Sequence, residues 1–169
     1  MIIRPATEGD FQRIAEMGAA FWALTPYAKA IPYSPEAVTH YSAMMLEHGV
    51  LYVVEVGGMV VGSAGAMFMP ALGNLEYKVG AELFWWIEPD HRNAGTGTAL
   101  LNALESGAKT VGATIFSMMA FEDLSPDKVG AIYERHGYVR SERTYTKELG
   151  SGSSNSGSSR GGSDSILGI

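Results

Sequence analysis

Residues Glu82–Leu104, ELFWWIEPDHRNAGTGTALLNAL, constrain the fold more than any other stretch of the chain. β-favouring residues run to Ile87 and stop at Pro89. A loop holding Gly95-Thr96-Gly97 then leads into Leu100, Leu101 and Leu104 at helical spacing. A strand that ends in a glycine-bearing loop and a helix start can build an anion site. Glycine lets the backbone approach a ligand, and the first helical turn points unpaired N–H groups outward. Arg92, just before the glycines, offers a charge-assisted contact to the same anion. At this point an ordinary strand-to-helix turn without a ligand stands beside that reading.

The remaining chain supplies an α/β frame for the loop. Ile2–Pro5 reads as a short strand. Phe11, Ile14, Met17, Phe21 and Leu24 form one apolar stripe on a helix over about Asp10–Leu24. Thr25–Ser34 carries two prolines and reads as a loop. Ser34-Pro35-Glu36 then has the cap and first-turn proline of a second helix, closed near His48 by Gly49. Val50–Val56 and Met59–Phe68 are strands around Gly57-Gly58, a two-residue hairpin signal. Met69–Lys78 reads as a connection, Val79–Ile87 as a strand, Gly97–Thr110 as a helix and Ala113–Phe121 as a buried parallel strand. Ser125-Pro126 repeats the cap-plus-proline start, with Val129, Ile132 and Tyr133 as its apolar stripe, and Tyr138–Leu149 alternates as one or two final strands. These elements make a mixed sheet with helices on both faces.

At 169 residues the chain fits one domain, read here as residues 1–149, followed by a Gly/Ser-rich tail at 150–169 that ends in the apolar Ile166-Leu167-Gly168-Ile169. Hydrophobic residues make up 46% of the sequence, enough for a real core. The formal net charge of -6, without a basic run, argues against a nucleic-acid face. The absence of cysteine excludes disulfides and thiolate chemistry, and the histidines have no metal spacing. The N-terminus lacks signal-peptide character and no apolar run approaches the ~18 residues of a membrane span. The expectation is a cytoplasmic protein without metal, membrane or nucleic-acid partners.

Three kinds of anion loop compete for Gly95–Gly97. A Walker loop needs Gly-Lys-Ser/Thr, whereas Gly97 is followed by Thr98-Ala99. A dinucleotide fingerprint needs a third glycine where Leu100 stands, and a loop tighter against its strand. The third pattern fits more positions. Ile87-Glu88-Pro89-Asp90-His91-Arg92 followed by Asn93-Ala94-Gly95-Thr96-Gly97 resembles the acyl-CoA loop of the GNAT (Gcn5-related) N-acetyltransferases. Tyr133-Glu134-Arg135-His136-Gly137-Tyr138 is similar to that family's fourth-helix run, and Ile3–Asp10 to its N-terminal entry. The resemblance covers residues 1–149.

It implies a mostly antiparallel, twisted sheet with a splayed central parallel strand pair. It also implies acetyl-CoA as co-substrate and transfer of its acetyl group to a primary amine, on a small molecule or a peptide, by direct attack. Backbone around Asn93, Ala94, Gly95, Thr96, Gly97 and Thr98 would surround the pyrophosphate beside Arg92, and the pantetheine arm would lie along the strand edge near Trp86 and Ile87. Tyr133 corresponds to the family's general acid. The base would be Glu82, Glu88 or an ordered water, and alternation puts both carboxylates on one face unless a bulge intervenes. Acceptor residues are expected among Phe21, Trp22, Tyr27, Tyr33 and Trp85, an aromatic group suited to an apolar body or to cation–π contact. One departure is Ser125-Pro126-Asp127 where relatives often carry a pantetheine-binding Asn. The alternative function is a GNAT-fold binding module with weak or no activity, tethered through its tail to an assembly or a second copy.

Overall fold

The computed structural model describes residues 1–122 and 124–150. Most of the Gly/Ser tail and all of its apolar end lie outside the described residues. In chain order the main elements are β1 (Ile2–Pro5), α1 (Phe11–Trp22), α2 (Pro35–His48), β2 (Gly49–Val56), β3 (Met59–Ala71), β4 (Asn74–Ile87), α3 (Ala94–Thr110), β5 (Ala113–Ser117) and α4 (Pro126–Arg135). The five strands lie side by side in sequence order. β1 to β4 pair antiparallel, and β4 with β5 is parallel.

Local chemistry sets these elements. Ser34 Oγ accepts from the Ala37 amide at 3.1 Å and Pro35 opens α2. Gly57 and Gly58 take φ values of 60° and 81°, the left-handed pair that a tight β2–β3 turn requires. The apolar stripes then choose faces. α1 and α2 pack Ile14, Met17 and Met45 against Leu51, Val53 and Trp86 on one side of the sheet. α3 packs Leu100 and Leu104 against Val61, Ala64, Ala66 and Ile87 on the other. Each leucine so enclosed contributes roughly 1.5–3 kcal/mol.

Two irregularities in β4 position the site. Gly65 pairs with Phe84, but the next β3 residue, Ala66, pairs with Glu82, so Leu83 is an extra residue in β4. A bulge of this kind reverses the faces on either side of it. Phe84 and Trp86 point toward α1 and α2, while Glu82, Trp85 and Ile87 point toward α3 and α4. The second irregularity is the end of pairing: β4 and β5 are bonded only from Lys78↔Ala113 to Ala81↔Ser117. Beyond that point Glu82–Ile87 continue without β5, leaving a slot between the two parallel strands.

Several expectations change. Met69–Lys78 belongs to a long hairpin rather than a connection: β3 continues to Ala71 and β4 begins at Asn74. Pro70 is accommodated because β3 has passed Met67, its last pairing residue with β2, and has become an edge. The parallel strand ends at Ser117 instead of Phe121 and is an outer strand, which leaves Ile115 60% exposed. Residues 138–149 form no strand. Gly137, at φ 87°, turns the chain out of α4. The following apolar side chains are too few to cover a face, and Val139, Tyr145 and Leu149 are exposed. Ser125 gives no side-chain cap to α4 and takes a left-handed conformation, φ 54°.

Candidate active site

The slot is bounded by β4 on one side and by the chain leaving β5 on the other. Glu82, the last β4 residue before the bulge, is only 4% exposed. Its Oε2 accepts from the Met119 amide at 3.0 Å across the slot. Tyr133 on α4 donates its hydroxyl to the Met119 carbonyl at 2.9 Å. One peptide residue therefore holds both groups at the point where β4 and β5 part. Burial pushes the Glu82 carboxyl up to about 7, against a smaller lowering by the Met119 N–H. Burial, with the nearby Glu82 charge and Tyr138, also raises Tyr133 well above a free phenol, so it keeps its proton through neutral pH. A carboxylate poised near neutrality beside a fully protonated phenol is a base–acid pair suited to moving protons at pH 7.

Glu88 is placed differently. The bulge breaks the simple alternation, and Glu88 Oε1 accepts from Arg13 Nη2 of α1 at 2.7 Å, on the far side from Tyr133. Its charge is neutralised by that ion pair.

The glycine loop begins its helix earlier than the Gly97 start that the spacing predicts. Asn93 is the N-cap of α3, and its side chain accepts from the Thr96 amide at 2.9 Å. The Gly97 amide donates to the Asn93 carbonyl at 3.2 Å. Thr98, one turn in, falls within the regular helical ladder. By helix geometry the amides of Ala94 and Gly95 have no intrahelical acceptor and remain as outward donors. Arg92 donates Nε to the Ile87 carbonyl at 2.8 Å and lays its guanidinium 4.3 Å from the Trp86 ring.

Trp85 and Trp86 lie on opposite faces. Trp85 lies between loop and acid: its ring edge is 3.4 Å from where a Cβ on Gly97 would stand, and its centroid is 5.8 Å from that of Tyr133. Its Nε1 is buried without a partner among the described residues, as is that of Trp86. An orphaned donor beside the glycine loop and an unpaired strand edge both fit an acyl-CoA arm, whose amides and phosphates need such partners. Trp86, rather than Trp85, lines the cavity on the α1–α2 face together with Phe21, Trp22 and Tyr33. Tyr27 is not among the residues lining it; its ring lies 5.8 Å from that of Phe121, which also meets Phe21 at 6.2 Å.

Sequence reading missed Met119, which acts through its backbone and leaves no side-chain signature. It also missed the Asn93 cap, although Asn at a helix start is a readable signal. Among the described residues no helix is long and apolar enough to cross a membrane, and no group of three His, Cys, Asp or Glu is gathered to hold a metal.

Comparison with known proteins agrees with this architecture. The acetyltransferase (GNAT) family pattern matches residues 14–138. No curated protein sequence matches the chain. Among solved structures, an acetyltransferase of Trypanosoma brucei is 24% identical with a TM-score of 0.67, covering 88% of this chain and 99% of its own. A predicted acetyltransferase with acetyl-CoA from Clostridium acetobutylicum is 19% identical with a TM-score of 0.66, covering 88% and 96%. An aminoglycoside antibiotic 6'-N-acetyltransferase from Acinetobacter haemolyticus is 19% identical with a TM-score of 0.64, covering 88% and 99%. These similarities establish the fold alone, but the family pattern spans well over half of the 169 residues, and the chain belongs to the GNAT acetyltransferase family.

Proposed function

We propose that residues 1–149 form an acetyl-CoA-dependent N-acetyltransferase whose acceptor is a primary amine. The observation that carries this reading is the Met119 peptide, which bonds Glu82 through its N–H and Tyr133 through its C=O where the parallel strands separate. Acetyl-CoA supplies an activated thioester carbonyl. The acceptor nitrogen forms the new N–C bond as the C–S bond breaks. Glu82, directly or through a water, takes the proton that leaves the nitrogen, and Tyr133 gives its hydroxyl proton to the departing sulfur. The protein holds the two substrates on opposite faces of one slot, so that positioning supplies much of the acceleration. The outward amides of Ala94 and Gly95, with Arg92, serve the pyrophosphate, and the β4 edge at Trp86 and Ile87 serves the pantetheine amides.

Titration calorimetry with acetyl-CoA, followed by free-CoA release over a panel of amines, tests this. The expected result is saturable binding and amine-dependent release. Absence of binding at millimolar acetyl-CoA would refute the proposal. One observation favours a second reading, a GNAT-fold binding module: the Tyr133 hydroxyl is already committed to Met119 and would have to leave that bond to serve as an acid. Tight CoA binding without release for any amine would favour the module.

A further inference from the structure

The cavity between α1, α2 and β4 is built to receive a body without charge. Its volume is about 270 Å³. Among the described residues lining it there is no Asp, Glu, Lys, Arg or His. Three of its polar wall groups are bonded to the backbone, while Trp86 Nε1 has no partner among the described residues. Tyr33 donates its hydroxyl to the Ala15 carbonyl, Ser63 Oγ donates to the Tyr52 carbonyl at 3.0 Å, and Trp22 Nε1 donates to the Ile31 carbonyl at 2.9 Å. What remains facing the space is aromatic and aliphatic surface from Phe21, Met17, Val38, Leu83, Phe84 and Trp86.

The cavity lies beside the stretch of β4 that carries the reacting carboxylate, with two of its lining residues next to the slot. Leu83, the bulged residue that lines it, is the chain neighbour of Glu82. On the other side of the slot, Phe121 reaches over to Phe21 and Tyr27. To meet Glu82, whose side chain turns to the other face of β4, an amine seated in the cavity would pass Leu83 into the slot. With no carboxylate in the lining, an ammonium entering the cavity would lose water without gaining an ion pair, so the cavity favours the neutral amine that direct attack requires.

Resting on the acetyltransferase reading above, we propose that the acceptor is a small primary amine whose body is an uncharged aryl or branched-alkyl group. An apolar cavity of about 150 Å³ holds one benzene ring. The larger space here therefore suits one ring with a short carbon linker to the amine. Polyamines and amino sugars, whose bodies carry charge or many hydroxyls, would leave those groups without partners against this wall.

The test uses the full chain and two readouts. Free-CoA release is measured with 2-phenylethylamine, 3-methylbutylamine, ethanolamine, glucosamine, spermidine and a short peptide bearing an N-terminal leucine. Melting temperature is measured with each amine in the absence of acetyl-CoA. The expected result is a kcat/KM for 2-phenylethylamine at least about tenfold above that for ethanolamine, as apolar pocket contacts of a few carbons allow, and a rise in melting temperature with the same amine. Leu83→Trp, which adds bulk at a lining position that is 37% exposed, should raise the KM for 2-phenylethylamine severalfold. Tyr41→Lys, on the more exposed wall, should do the same by placing a charge there, and ligand-free melting curves check that both variants fold.

Turnover of ethanolamine, glucosamine or spermidine as fast as 2-phenylethylamine would overturn the acceptor class while leaving acetyl transfer in place. A peptide preferred over every small amine would overturn the small-molecule assignment. Stabilisation by 2-phenylethylamine without CoA release from any amine would overturn the acetyltransferase reading, and the acceptor assignment with it.

Discussion

Replacing Glu82 by glutamine separates what this side chain does for catalysis from what it costs the fold. Burial moves its titration from the ordinary 4.5 to about 7. At 1.36 kcal/mol per pH unit, the difference corresponds to about 3 kcal/mol against ionised Glu82 in the native state. The sign follows from proton counts. Between the unfolded and folded values the native state binds more protons than the unfolded chain, so stability falls as pH rises from about 4.5 to about 7 and is then level. Glutamine carries no charge and keeps an oxygen for the Met119 amide. Glu82→Gln should therefore match the parent near pH 4.5 and exceed it at pH 8 by up to about 3 kcal/mol, a gain of up to about 6–12 °C in melting temperature for a chain of this size. Activity should move the other way. As general base, Glu82 should give kcat/KM an ascending limb centred near 7, and the variant should lose that limb with about 10²- to 10⁴-fold of the rate. Thermal melts at both pH values and a pH profile of CoA release make the check. A limb near 7 that persists in Glu82→Gln, or a variant no more stable at pH 8, would refute the reasoning.

Tyr133→Phe should lower kcat about 10²-fold or more with acetyl-CoA binding little changed, and cost about 1 kcal/mol through the lost bond to Met119. An unchanged kcat would remove Tyr133 from the mechanism. Asn93→Ala deletes the α3 cap and should cost about 1 kcal/mol. Calorimetry should show weaker CoA binding as the first turn frays, and unchanged affinity would dissociate the cap from the ligand. Trp85→Phe removes a buried N–H that has no partner among the described residues while keeping an aromatic ring in place. Its affinity for CoA should fall if that donor serves the acyl-CoA arm, and equal affinity would mark Trp85 as packing alone.

Local signals read from the sequence survived where one residue type decides the backbone. Ser34-Pro35 began a helix and Gly57-Gly58 closed a hairpin because each requirement is satisfied within a few residues. The loop from Ile87 to Gly97 and the run from Tyr133 to Tyr138 pointed to the family that residues 14–138 match. What escaped depends on contacts distant in sequence. The Leu83 bulge exists because Gly65 and Ala66 of β3 pair across it, and no local feature of ELFWWI announces it. Met119 holds Glu82 and Tyr133 through peptide atoms that every residue carries. Ser125-Pro126 has the same residues as the Ser34-Pro35 cap, but Ser125 takes a left-handed backbone and makes no side-chain cap bond. The hairpin arm was hidden by Pro70 and Gly73, which suggest a connection unless the strand is known to be an edge there.

The bulge is the feature that ties these parts into a site. In an unbroken β4, alternation would put Glu82, Phe84 and Trp86 on one face and the carboxylate among the walls of the apolar cavity. A charge there would be costly, and it would lie on the opposite face from Tyr133. One extra residue at Leu83 changes both outcomes: Glu82 passes to the α3–α4 side, within reach of Met119 and close enough for its charge to act on Tyr133, while Phe84 and Trp86 remain toward α1 and α2. The strand thereby presents a proton-handling face and an apolar face across a single slot. The end of β4–β5 pairing at Ala81 and Ser117 opens that slot one residue before the carboxylate. Rejoining those strands would bury the Met119 amide in a ladder bond and withdraw it from Glu82, so parting and bulge work only together.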